Sequence, residues 1–231
     1  MAYSTIPKGS LHMNPVIYTG NGSADRAITG AGFAPNWVWI KKRSSADVHY
    51  IFDSVRGADI QLQSNSNAAQ YDYSGDANRS LTAFDSDGFT LGTNEGVNHN
   101  SQTFVSWNWK ANGALTSAGQ FNSSATFNSN VFSVGGEGDT NESSSTIVAY
   151  CFSEIKGFSK FGTYVGNGST DGTFVYTGFK PAFVMYKSSS LAESWKIYDN
   201  ARQPNNVVNL ALDANSSGVE DSGGGGNDID F

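Results

Sequence analysis

The sequence predicts an all-β protein of tandem antiparallel β-sandwiches, of concanavalin-like or jelly-roll type. Three observations predict it. The composition combines 13 % aromatic residues and 26 glycines with only 15 % charged residues. Aromatic and β-branched side chains pack pleated sheets, while Gly, Asn, Asp and Ser supply turn backbone. Short apolar runs separated by turn residues recur along the chain. Finally, the chain repeats itself, as stacked structural units do.

The repeat sets the organisation. YTGNGS (18–23) returns as YVGNGS (164–169), and the shift of 146 holds without a gap, with 11 identities in 26 positions over 18–43. Asp53 and Arg56 meet Asp199 and Arg202 at the same shift. A second shift, of 43, carries GFTLG (88–92) onto VFSVG (131–135) and TFVSWNWK (103–110) onto TIVAYCFS (146–153). The chain therefore reads as an extended leader (1–13), a first sandwich (14–111), a linker (112–120) and a second sandwich unit (121–231). In the second unit a back half (121–154) precedes a front half (161–231). That unit is either incomplete or a circular permutation, which a sandwich tolerates when its ends lie close.

Taken in order, the strands begin with WVWIK (37–41), with Trp37 and Trp39 on one face and Val38 and Ile40 on the other. Two apolar faces suit an inner strand. VHYIF (48–52), FTL (89–91), FVSWNW (104–109), VFSV (131–134), TIVAYCF (146–152), FVMY (183–186) and WKIYD (195–199) follow. Pro35 and Pro181 stand just before strands, where proline removes no ladder bond. Each Gly-Asn-Gly reads as a reversal needing positive φ. Residues 61–80 and 213–228 read as polar loops. The expected core has Trp37 or Trp39 against Trp107 or Trp109, and Tyr150 and Phe152 against Phe183 or Met185.

A search for chemistry yields no catalytic, cofactor-binding or metal-binding set. His49 and Asp53 share a strand face but lie ~13 Å apart along it, and the repeat replaces His49 by Trp195, as a packing position would. Asp85 and Asp87 in FDSDGF carry too few ligands for a calcium loop and read as a turn. The pairs Asp53/Arg56 and Asp199/Arg202 read as braced turns. Five tryptophans and ten tyrosines also raise a sugar-stacking platform, against which alternating strand positions favour a core role. The lone Cys151, in IVAYCF, reads as a small core residue. A net charge of −7 and the lack of a basic stripe argue against nucleic-acid binding. No apolar run approaches a membrane span, and MAYSTIPKGSLHM lacks the apolar region of a signal peptide.

The strings YTGNGS, GFAPNWVWIKKR, IFDSVRG, SLTAFDSDGFTLG and TFVSWNWKA, and later AYCFSEIKGFSKFGTYVGNGSTDGTFVYTGFKPAFVM, resemble a repeated domain in tail-fibre and virion structural proteins of marine and cyanobacterial tailed phages. The resemblance covers nearly the whole chain and supplies no catalytic residues. It implies a non-enzymatic virion protein, made in the host cytoplasm, with a tail-fibre or adhesin role in host attachment. The expected partners are other virion proteins and further copies of the chain, as a homotrimer, with a host-surface glycan as a further candidate. The alternatives are a capsid decoration or cement protein, and a carbohydrate-binding module.

Overall fold

The structure, a computed structural model, describes residues 8–111, 134, 138–169, 171–221 and 228–231. The expected linker, most of VFSV and the first seven leader residues lie outside them. The protein is nearly all β. After a 3₁₀ turn at Gly9–Leu11, the strands of the first unit are β1 (Met13–Thr19), β2 (Arg26–Thr29), β3 (Trp37–Lys42), β4 (His49–Asp53), β5 (Ile60–Gln61), β6 (Tyr71–Asp72), β7 (Leu81–Asp85), β8 (Gly88–Leu91) and β9 (Thr103–Trp109). A one-turn helix α1 (Glu95–Asn98) precedes β9. A second, α2 (Gly138–Asn141), precedes β10 (Phe183–Tyr186), β11 (Lys196–Asp199) and β12 (Leu212–Asp213). No helix among the described residues is long and apolar enough to cross a membrane.

Three antiparallel sheets stack as layers. The middle sheet has the order β1-β9-β3-β4, with Trp39 opposite Trp107 and Pro15 opposite Trp107 on the other side. One outer sheet is β2-β8-β7 and the other is β10-β11-β12. Val38, Ile40, Tyr50, Phe52 and Phe104 of the middle sheet meet Ile28, Leu81, Phe89 and Leu91 of the first outer sheet. This is the first sandwich. The opposite face of the same strands carries Trp39, Ile51, Val105 and Trp107, which meet Ile197 and Leu212 of the other outer sheet. The two apolar faces of WVWIK thus have a physical cause, since that strand touches two cores. A third, smaller cluster of Tyr198, Val208 and Ala211 backs the last sheet.

The repeated hexapeptide is a loop with the same geometry in both copies. Gly22 and Gly168 take φ of +69° and +66°, a region that favours glycine. Ser23 and Ser169 each donate a backbone N–H to the side chain two residues back, Asn21 and Asn167, at 3.0 Å. In the first unit the loop docks on α1. Asn98 donates to Ser23 O at 2.8 Å and accepts from Asn21 N at 3.0 Å. FDSDGF is a β7–β8 hairpin turn. Asp87 accepts from the backbone N–H groups of Gly30 and Gly32, and Asp85 from the Thr90 hydroxyl. Both carboxylates therefore fasten backbone and strand.

Several expectations need correction. Residues 146–152 form no strand ladder among the described residues; their apolar alternation resembles β9, but no described neighbour bonds to their backbone. Cys151 is exposed, not a core residue. The leader does not run free to residue 13: Met13 is buried and opens β1, and His12 O accepts from Lys110 N at 2.8 Å. The strands β1, β2 and β7 were not anticipated; β1 contains Pro15, and β2 is only four residues long.

Candidate functional site

The polar groups of the chain converge between the middle sheet and the β10-β11-β12 layer. At the end of β4 the Asp53 carboxylate accepts from the backbone N–H groups of Val55 and Arg56, and from Arg56 Nε at 2.6 Å. At the end of β11, Asp199 does the same with Ala201 and Arg202, again at 2.6 Å to Nε. A carboxylate that closes its own turn leaves one lone pair directed away from the strand. In each case an aromatic donor from the other unit takes it. Trp107 Nε1 donates to Asp199 at 2.8 Å, and Tyr150 Oη donates to Asp53 at 2.8 Å. Burial, the Asp53 carboxylate and its hydrogen bond push the Tyr150 hydroxyl well above the ordinary tyrosine range, partly offset by Arg56.

Residues 107 and 150 are counterparts at the shift of 43, and residues 53 and 199 at the shift of 146. The ring contacts repeat the exchange. Trp107 and Trp109 lie on Phe183 at 5.8 and 5.6 Å, and their counterparts Tyr150 and Phe152 lie on Trp37, the counterpart of Phe183, at 4.8 and 5.3 Å. Trp37 also meets Trp109, at 4.4 Å, and Trp39 meets Trp107, at 5.5 Å. Tyr150 and Phe152 thus reach across to Trp37; neither stacks on Phe183. Trp39 and Trp107 are buried and Trp37 and Trp109 half-buried, whereas Phe152 and Met185, both expected in the core, are exposed.

His49 lies fully buried beneath β12. Its Nδ1 accepts from Trp39 Nε1 at 2.8 Å, so its Nε2 carries the proton and donates to Asp213 O at 2.8 Å. Burial and the nearby Lys41 charge lower its pKa to about 3. With both nitrogens committed, this imidazole is held neutral. Lys41 Nζ, on the same face, donates to Lys42 O at 2.9 Å, and burial lowers its pKa to about 8. Glu220 completes the junction: it takes Arg43 through two contacts of 2.8 Å and Arg202 Nη1 at 2.9 Å. Sequence reasoning read His49 as a packing position without finding its partners, and missed Lys41, Arg43 and Glu220. Each of the four has a partner more than 160 residues away along the chain, and no local pattern signals that.

One open cleft of about 230 Å³ borders this junction, lined by Trp39, Ser64, Met185, Trp195, Ala214 and Asn215. Trp195, 43 % exposed, forms one wall without a ring partner among the described residues. No charged side chain lines the cleft. Among the described residues no group of three His, Cys, Asp or Glu side chains is placed to hold a metal ion.

The model of one protein family matches the chain twice, over residues 8–129 and 115–231; its description is a domain of unknown function, DUF7483. No curated protein and no solved structure matches the chain.

Proposed function

The chain belongs to the DUF7483 family, and from that premise we propose a structural, non-enzymatic role in a phage virion, as a tail-fibre or adhesin component contributing to host attachment. One observation carries the proposal. The buried polar side chains at the junction of the two repeats bond to other layers of the same chain, as a load-bearing spacer requires and as a catalytic pair does not. Asp53, Asp199 and His49 all spend their hydrogen-bonding capacity this way. The resemblance to tail-fibre repeats supplies the virion context, with other virion proteins and further copies of the chain as partners. Gold-labelled antibody against the chain, applied to particles of the phage encoding it, tests the reading. Label on the fibres supports it, label on the head favours a decoration protein, and unlabelled particles overturn it.

A second reading, carbohydrate binding, is favoured by the Trp195 cleft. An exposed indole stacks on the C–H face of a sugar ring, and the uncharged lining suits a neutral glycan. Glycan-array binding lost in Trp195→Ala supports this reading; an array blank for the parent protein removes it.

A further inference from the structure

The second front half exposes apolar side chains, and at three of the matching positions, Pro15, Tyr18 and Ile28, the first unit covers them. Phe161, Tyr164, Val165, Phe174 and Tyr176 are all exposed. Their counterparts are Pro15, Tyr18, Thr19, Ile28 and Gly30. Of these, Tyr18 stacks on Phe104 of β9 at 5.1 Å, and Ile28 lies in the core. In the middle sheet β9 runs between β1 and β3. The counterparts of β1 and β3 are residues 159–165 and β10. Among the described residues β10 is an edge strand, and its unpaired edge corresponds to the edge of β3 that carries β9. An uncharged, uncovered edge beside exposed aromatics is a site for strand addition.

The repeat also identifies the strand that fits. At the shift of 43, α1 becomes α2 and β9 becomes residues 146–152. That segment already faces the correct way. Its Tyr150 bonds to Asp53 as Trp107 bonds to Asp199, and its Phe152 lies on Trp37 as Trp109 lies on Phe183. The docking of its backbone is what differs. No backbone–backbone bond links 146–152 to another described residue. Asn141, counterpart of the loop-holding Asn98, is exposed, and Gly166 faces open space where Gly20 lies against the His99 carbonyl. Two buried donors beside the segment, Trp37 Nε1 and Arg56 Nη1, have no acceptor.

We propose that the chain also takes a second arrangement, in which residues 146–152, unladdered in the structure above, form the strand that fills the slot between residues 159–165 and β10. The register follows from the first unit. Met13 opposite Trp109 becomes Ser159 opposite Phe152, and Trp39 opposite Trp107 becomes Met185 opposite Tyr150. Ile147 then covers Tyr164 as Phe104 covers Tyr18, and the Asn141 amide takes the 166–169 loop. The connection favours the same chain over a second copy. Residues 153–158 make a short connection, with Phe158 N donating to Ile155 O at 2.9 Å; the present Ile155–Ser159 pair is out of the proposed register and opens when Phe152 comes opposite Ser159. The connection joins the end of one strand to the start of its antiparallel neighbour. The result is a pseudo-two-fold module in which each repeat's back half supplies the aromatic donor to the other repeat's Asp–Arg turn.

Cys151, exposed and free, tests this. The register puts it opposite Lys160 on one side and Val184 on the other, as Asn108 stands between Asn14 and Val38. Directly paired strand positions bring Cβ atoms to about 4.5–5.5 Å, close enough for a disulfide with small adjustment. K160C and V184C should each, after mild copper-catalysed oxidation of the full chain, form an intrachain disulfide with Cys151. Non-reducing electrophoresis and mass spectrometry would show a cross-linked monomer, absent when C151S is added. V184C is decisive, because K160C lies near the turn. A disulfide-linked dimer would show that a second copy fills the slot. Free thiols in V184C would show that the slot does not hold this strand. Either result overturns the proposal. Circular dichroism of the reduced variants checks that the parent fold is kept.

Discussion

Trp107 on β9 donates its indole N–H to the Asp199 carboxylate at 2.8 Å across the interface between the middle sheet and the last layer. Both groups are buried, so the bond is charge-assisted and sheltered from water. Trp107→Phe should cost about 2–4 kcal/mol of unfolding free energy, joining the loss of a bond to a charged group with that of some packing volume. Tyr150→Phe removes the reciprocal bond to Asp53 at a half-buried position and should cost about 1 kcal/mol. Urea unfolding midpoints measure both. Equal costs would mean that the two sites are not buried differently.

His49 makes stability depend on acid. Its folded pKa is lowered from 6.5 to about 3, so between those values the unfolded chain binds a proton that the folded chain refuses. Stability is therefore fully present above pH 6.5 and falls as pH drops toward 3, by about 1.4 kcal/mol per pH unit for this one proton. His49→Gln, measured beside the parent from pH 4 to 7, should show a shallower decline. Parallel curves would rule out His49 as the group responsible.

Glu220 joins Arg43 of the first unit to Arg202 of the second. Glu220→Gln leaves a partly buried arginine uncompensated and should destabilise by about 2–4 kcal/mol. Loss should concentrate in the last layer. Limited proteolysis should release fragments from beyond residue 180 while 8–111 stays intact. Uniform digestion of the chain would contradict this.

Gly88, at φ +140° in the β7–β8 turn, would place a Cβ 2.0 Å from Ile28 O. Gly88→Ala must push β2 from β8 and should destabilise by more than ~2 kcal/mol, beyond the usual glycine-to-alanine strain. A thermal midpoint within a degree of the parent would show that β2 moves freely.

Much of the fold was legible because local pattern and packing agree. WVWIK, apolar on both faces, occupies the middle sheet, which has a core on each side. The two braced turns at Asp53 and Asp199 were visible because the repeat kept both residues. Local pattern misled at TIVAYCF, where β-type alternation is necessary for a ladder but does not supply the neighbour. At His49 it spoke only in part. The substitution by Trp195 pointed to packing, yet the bonds to Trp39 and Asp213 depend on contacts 10 and 164 residues away. The Trp195 cleft was equally hidden, since its walls come from both units.

The middle sheet, with its two cores, also sets a timetable for synthesis. The β3–β4 hairpin can form early, but β9 pairs Met13 and Trp37 with Trp109, so the sheet cannot be completed until residue 109 has left the ribosome. From that moment its tryptophan face is bare. The layer that covers it ends at Leu212, roughly a hundred residues later, which at 5–20 residues per second is an interval on the order of 5–20 s. During that interval the nascent chain shows water an aromatic surface that the finished protein hides, so the yield of folded protein should depend on how fast the second repeat is translated and on chaperones that shield the first.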